Sequence, residues 1–160
     1  MKLEFRKAAC ITLVLLIVLT LCFIFGNSLV SRDDSAEQSG RIVRLLKPIL
    51  DPEDRLTYDE FHKIVRKTAH FVEYAALGFE CTLLAFFVNV KLRLCGALYS
   101  AGGCLLAADI DEFIQSLVDR GSAVADVLLD FSGSVFGIAI GCAAVYVAIK
   151  IKNKREQTAH

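Results

Sequence analysis

The segment RKTAHFVEYAALGFECTLLAFFVNV, residues 66–90, places a histidine and two glutamates in a stretch apolar enough to dissolve in lipid. Arg66, His70, Glu73, Leu77 and Glu80 fall at i, i+4, i+7, i+11 and i+14, so a helix turning about 100° per residue carries them as one stripe. A second group stands in DIDEFIQSLVDRGS, where Asp109, Glu112 and Gln115 or Ser116 share a stripe and Asp111 pairs with Gln115 at i, i+4. Beyond Arg120-Gly121-Ser122, with Ser122 as N-cap, Asp126 and Asp130 stand one turn apart.

These residue types suit three kinds of chemistry. Arg66, Lys67 and Arg120 can hold a phosphate while the acids and Tyr74 hold sugar or peptide groups. Glu73, Asp111, Glu112 and Asp126 outnumber the nearby bases, however, so a cationic or neutral polar ligand fits more directly unless those acids are paired, protonated or bridged by a divalent cation. His70 can act as a general base oriented by Glu112 or Asp126, making those three the catalytic candidates for hydrolysis or transfer on an isoprenoid phosphate or glycan. His-x-x-Glu with Asp-Glu also offers ligands to Mg²⁺, Mn²⁺ or Zn²⁺, but the single histidine argues against a metal site, and no cofactor is expected. The chain holds no G-x-S-x-G, H-E-x-x-H or phosphate-loop motif.

An ionised residue at the centre of a membrane span costs about 2.5–3.5 kcal/mol, and such residues face the bundle interior and pair. The acids, amide and histidine are therefore expected to converge near one membrane face. Gly133, Gly137 and Gly141 repeat every four residues, a ridge of small residues that lets another helix approach closely, with Gly102 and Gly103 expected to do the same on the third span. The bland alternative is that the polar residues only bond one another and hold the helices in register, although interhelical polar contacts average about 0.6 kcal/mol each.

The elements that must position these groups follow from composition. The 160 residues are 55% hydrophobic, lack Trp and have a mean hydropathy of +0.52, too apolar for an ordinary soluble domain. The expected fold is all-α: one polytopic membrane domain spanning residues 1–160, with four transmembrane helices at about 8–26, 69–90, 92–114 and 124–151. The first apolar run exceeds a signal-peptide core and no A-x-A site follows it, so it reads as an uncleaved span. The six cysteines lie within apolar runs without C-x-x-C spacing and read as packing residues, with redox or lipidation chemistry at Cys10 the alternative.

Basic residues are equally numerous on the two sides implied by four crossings. Lys2, Arg6 and Lys7 ahead of the first span, against Arg32 after it, favour both termini in the cytoplasm of a multi-pass cell-membrane protein. The extracytoplasmic segment at about 35–66 has capping-box patterns at Ser35-Ala36-Glu37-Gln38 and Thr57-Tyr58-Asp59-Glu60. Between them Ile42, Leu45, Leu46 and Ile49 form an apolar face, as expected of an amphipathic helix that lies on the membrane and lids the polar residues, or packs on the other spans.

RKTAHFVEYAALGF together with DIDEFIQSLVDRGSAVADVLLDFSGSVFG resembles the VanZ-like family of small bacterial membrane proteins, whose pattern joins His-Phe-x-Glu-Tyr, Asp-Glu-x-x-Gln and Arg-Gly-Ser-x-x-x-Asp segments. The resemblance covers nearly the whole chain, including Asn27-Ser28 and Ser31. It implies Lys67, His70, Glu73, Tyr74, Asp111, Glu112, Gln115, Arg120 and Asp126 as the shared polar set; Glu80 and Asp109 lie outside the pattern. It also implies a cell-envelope role linked with resistance to the glycopeptide teicoplanin.

The expected function is therefore an outer-face pocket, built from Arg66, Lys67, His70, Glu73, Tyr74, Asp111, Glu112, Gln115, Arg120 and Asp126, that binds an envelope component. Expected partners are the lipid bilayer and a lipid-linked cell-wall precursor or glycopeptide, with no nucleic acid. A membrane-embedded hydrolase or transferase using His70 is the alternative.

Overall fold

The computed structural model describes residues 3–30, 32–88, 93–118 and 123–158. The elements are α1 (Leu3–Leu29), α2 (Arg32–Leu50), α3 (Tyr58–Phe87), α4 (Arg93–Leu117) and α5 (Val124–Thr158), with no strand among the described residues. Among these, α1, α3 and α5 are each long and apolar enough to cross a membrane. The fourth crossing expected at about 92–114 corresponds to α4, whose 25 residues would reach about 37 Å at 1.5 Å per residue but carry Asp109, Asp111 and Glu112 near one end.

The most extensive interface joins α3 to α5, which run parallel. The glycine ridge explains it. A Cβ added at Gly133 or Gly137 would overlap the carbonyl oxygen of Phe71 or Ala75, and one at Gly141 would lie 2.9 Å from the Cβ of Thr82. Gly78 of α3 reciprocates against the Ser134 carbonyl, so the two backbones touch. Gly102 and Gly103 have nothing within 4 Å of such a Cβ and serve no comparable approach among the described residues.

Helix α1 lies antiparallel to α3. Arg6 donates to the Phe87 carbonyl at 3.0 Å, Thr20 to Glu80 at 3.0 Å, and Asn27 to Glu73 at 3.5 Å. The stripe from His70 to Glu80 thus faces other helices: Leu77 is buried, and Glu80, outside the resemblance pattern, is met by α1. Ile24, Tyr74, Leu77, Cys104, Ala107 and Ala108 form the core between α1, α3 and α4. Large apolar side chains such as Leu19, Phe113, Leu128 and Phe136 point outward, as expected where lipid is the solvent. All six cysteines are unpaired thiols, and Cys104 alone among them is fully buried.

The α2–α3 hairpin stands apart. Thr57 makes the expected capping box: its hydroxyl accepts from the Glu60 N–H at 3.3 Å and Glu60 accepts from the Thr57 N–H at 2.9 Å. The start expected at Ser35 is late, since α2 is helical from Arg32. Helix α2 ends at Leu50, just before Asp51-Pro52, and the Asp51 carboxylate accepts from the Leu56 and Arg55 N–H groups at 2.9 Å each. Those bonds, the Leu56 one foremost, with Lys47 beside them, hold Asp51 below the usual carboxylate range. Helix α2 packs against α3 and Val43 is fully buried, while Ile42, Leu45 and Ile49 stay exposed, so α2 keeps an unburied apolar face.

Candidate functional site

Four helices meet at one level: the last turn of α1, the second to fourth turns of α3, the last turns of α4 and the first two of α5. The alternation of direction makes this possible, because α3 and α5 begin where α1 and α4 end. Gly133 lets the backbones touch at Phe71 and thereby sets His70 and Asp130 across from each other, each close to that contact. His70 Nδ1 lies 3.7 Å from Asp130 Oδ1 and 3.9 Å from Asp111 Oδ2.

Asp111 is completely buried and well supplied with donors. Ser28 donates to its Oδ1 at 2.5 Å and Gln115 to its Oδ2 at 2.9 Å, with Gln115 also 3.4 Å from the Ser28 hydroxyl. Asp130, only 2% exposed, is supplied differently: its Oδ1 has no hydrogen-bond partner among the described residues. The Tyr74 hydroxyl and Glu112 Oε2 are likewise buried without such a partner. Buried polar groups are nearly always satisfied, so an orphan oxygen facing an imidazole needs an explanation.

Above this floor opens a cavity of about 170 Å³. Lys63, Arg66, Lys67 and Asp126 line its mouth, while His70, Gln115 and Asp130 line its base, with Leu129 alongside. Lys67 pairs with Asp126 at 3.5 Å, an exposed contact of small energetic value that places both heads at the opening. The result is a site with cationic groups outside and carboxylates inside.

The expected site residues separate into distinct positions. Arg66, Lys67, His70, Gln115 and Asp126 line the cavity, and Asp111 stands behind it. Glu73 meets Asn27 one turn deeper, and Tyr74 is in the core. Arg120 lies outside the described residues, as does the expected cap Ser122. Glu112 accepts the Ala123 N–H at 2.6 Å, so this side chain of α4 satisfies the backbone at the start of α5.

Neither Glu112 nor Asp126 is the acid against His70; Asp111 and Asp130 are. Consecutive residues on a helix point about 100° apart, so only one of Asp111 and Glu112 can face α3. Asp126 is one turn nearer the mouth than Asp130. Asp130, Ser28 and Lys63 belong to the site or its support although none is among the expected site residues; the i, i+4 spacing of Asp126 and Asp130 is the signal for the first. No residue of α2 lines the cavity, which leaves the expected lid without a contact there among the described residues.

A family model described as VanZ/LLP1 matches residues 13–146, which takes in α1 from about its fourth turn onward, all the polar groups of the site and most of α5. No curated protein and no solved structure matches the chain.

Proposed function

The chain belongs to the VanZ/LLP1 family, and on that premise we propose that this membrane protein binds the anionic head group of a lipid-linked envelope component in the cavity between α3, α4 and α5. The observation that carries the reading is the placement of Lys63, Arg66 and Lys67 around one opening. Phosphate is the natural guest of such a mouth, since guanidinium and ammonium groups make charge-assisted bonds to its oxygens. Three of the acids that would repel it are engaged, Asp126 with Lys67, Asp111 with Ser28 and Gln115, and Glu112 with the α5 backbone, while Asp130 lies below the mouth at the cavity base.

In this reading α4 is the fourth crossing, both termini are cytoplasmic, and the cavity opens at the outer face. The exposed apolar residues of α2 then rest in the outer interface beside the mouth. A contribution to teicoplanin resistance follows if the bound component is a cell-wall precursor. A hydrolytic role for His70 is the second reading, favoured by its position between two carboxylates.

The test is binding of a polyprenyl diphosphate and of the matching neutral polyprenol to the full chain in nanodiscs, followed by native mass spectrometry. Preference for the diphosphate is expected, reduced about 10–100-fold in Arg66→Gln/Lys67→Gln, as loss of two charge-assisted contacts implies. Equal retention of the two lipids would refute the reading. Phosphate release in the same preparation would favour the hydrolytic alternative.

A further inference from the structure

The base of the cavity holds a second kind of chemistry. His70, Asp111 and Asp130 each offer one ligand atom, and these three atoms lie within 4.8 Å of one another. They come from α3, α4 and α5, so no single-helix charge pattern accounts for their meeting. We propose that His70 Nδ1, Asp111 Oδ2 and Asp130 Oδ1 form a binding site for one divalent transition-metal ion, of the class of Zn²⁺ or Mn²⁺.

Charge is the first argument. Two buried carboxylates beside one imidazole, which can supply at most one positive charge, leave negative charge unmatched at a depth where an unpaired charge is strongly disfavoured. At the mouth, a different level, Lys67 pairs with Asp126 rather than with these two carboxylates. A divalent ion at the centroid of the three atoms neutralises the set. It also gives Asp130 Oδ1, buried and without a hydrogen-bond partner among the described residues, the partner it otherwise lacks.

Geometry is the second. Ligand atoms around an ion at about 2.1 Å sit roughly 3.0–3.4 Å apart in octahedral or tetrahedral arrangements. The separations of 3.7 and 3.9 Å from His70 need side-chain adjustments of only about 1 Å to close. Asp111 is already held in place by Ser28 and Gln115, the outer support that ligating carboxylates usually have. The imidazole selects against Mg²⁺ and Ca²⁺, which take oxygen ligands, and in favour of metals that accept nitrogen. Three protein ligands leave positions open toward the cavity.

This site stands whether or not the mouth binds a phosphate, because metal alone probes it. Full-length protein, stripped with chelator in detergent micelles, is titrated with Zn²⁺ by calorimetry. One equivalent per chain is expected, weakened at least about tenfold by Asp130→Asn and unchanged by Arg55→Gln, which lies outside the cavity. Absence of stoichiometric binding would overturn the proposal, and would indicate that the three groups share a proton instead. Because Asp130→Asn can impair folding, a measurement on the unmodified site accompanies it: pulsed electron paramagnetic resonance of the Mn²⁺-loaded protein. Coupling to an imidazole ¹⁴N is expected and must persist in His62→Gln, whose histidine is engaged with Ser39 on the α2–α3 hairpin. Loss of the coupling in His62→Gln, or none at all, overturns the assignment to His70.

Discussion

Ser28 does its work through one short bond. Its hydroxyl reaches Asp111 from the last turn of α1 at 2.5 Å, and both groups are completely buried. Replacing it by Ala leaves a buried carboxylate oxygen without that donor, at a cost of about 1–3 kcal/mol. Ser28→Ala should therefore lower the unfolding free energy of the detergent-solubilised protein by that amount, with the far-ultraviolet spectrum unchanged. A loss below about 0.5 kcal/mol would mean that solvent or another group substitutes for the hydroxyl. His70 and Asp111 were legible in the sequence because ionisable residues inside an apolar run draw attention wherever they stand. Asp130 and Ser28 were not legible as their neighbours: a serine costs little to bury, and a one-turn pair of aspartates does not reveal which of the two lies deeper. That depends on where α3 meets α5.

At the scale of the element, the α3–α5 contact decides that depth. The four-residue glycine spacing was readable as a close-approach ridge, but the sequence could not name α3 as its partner, because a small-residue ridge carries no complement that identifies what lies on it. A methyl at Gly137 meets a backbone carbonyl, which cannot swing away as a side chain can. Gly137→Ala should destabilise the bundle by about 1–3 kcal/mol, the usual range for overpacking. It should also pull His70 away from Asp130. Gly102→Ala is the matched control: its methyl has open space, so the substitution should be neutral or stabilising by up to about 1 kcal/mol through helix propensity alone. Thermal unfolding of the two variants side by side gives the comparison. Similar losses for both would show that helix–helix approach is not what these glycines provide.

For the whole molecule the pieces have one consequence. Arg6 reaches Phe87 at the end where α1 begins and α3 finishes, while Ser28 reaches Asp111 at the end where α1 finishes and α4 approaches its own finish. A chain with these two contacts runs up, down, up, down through α1, α3, α4 and α5, placing the N-terminus and the basic tail of α5 at the end opposite the cavity. The all-helical fold was legible from hydropathy, since lipid leaves the backbone no other open-chain solution. Orientation was not, because the basic residues on the two sides balance and only the first helix tips the count. Single cysteines in a background lacking the six native ones decide it. Lys63→Cys at the mouth should react in intact cells with a membrane-impermeant maleimide, and Lys154→Cys in the tail should react only after the membrane is opened. Labelling of both in intact cells would mean that α4 does not cross, because an odd number of crossings carries the tail to the side of the cavity. The reverse pattern would turn the bundle over and put the cavity on the cytoplasmic face, where a precursor still attached to its synthetic machinery, rather than an exported one, would be the molecule within reach.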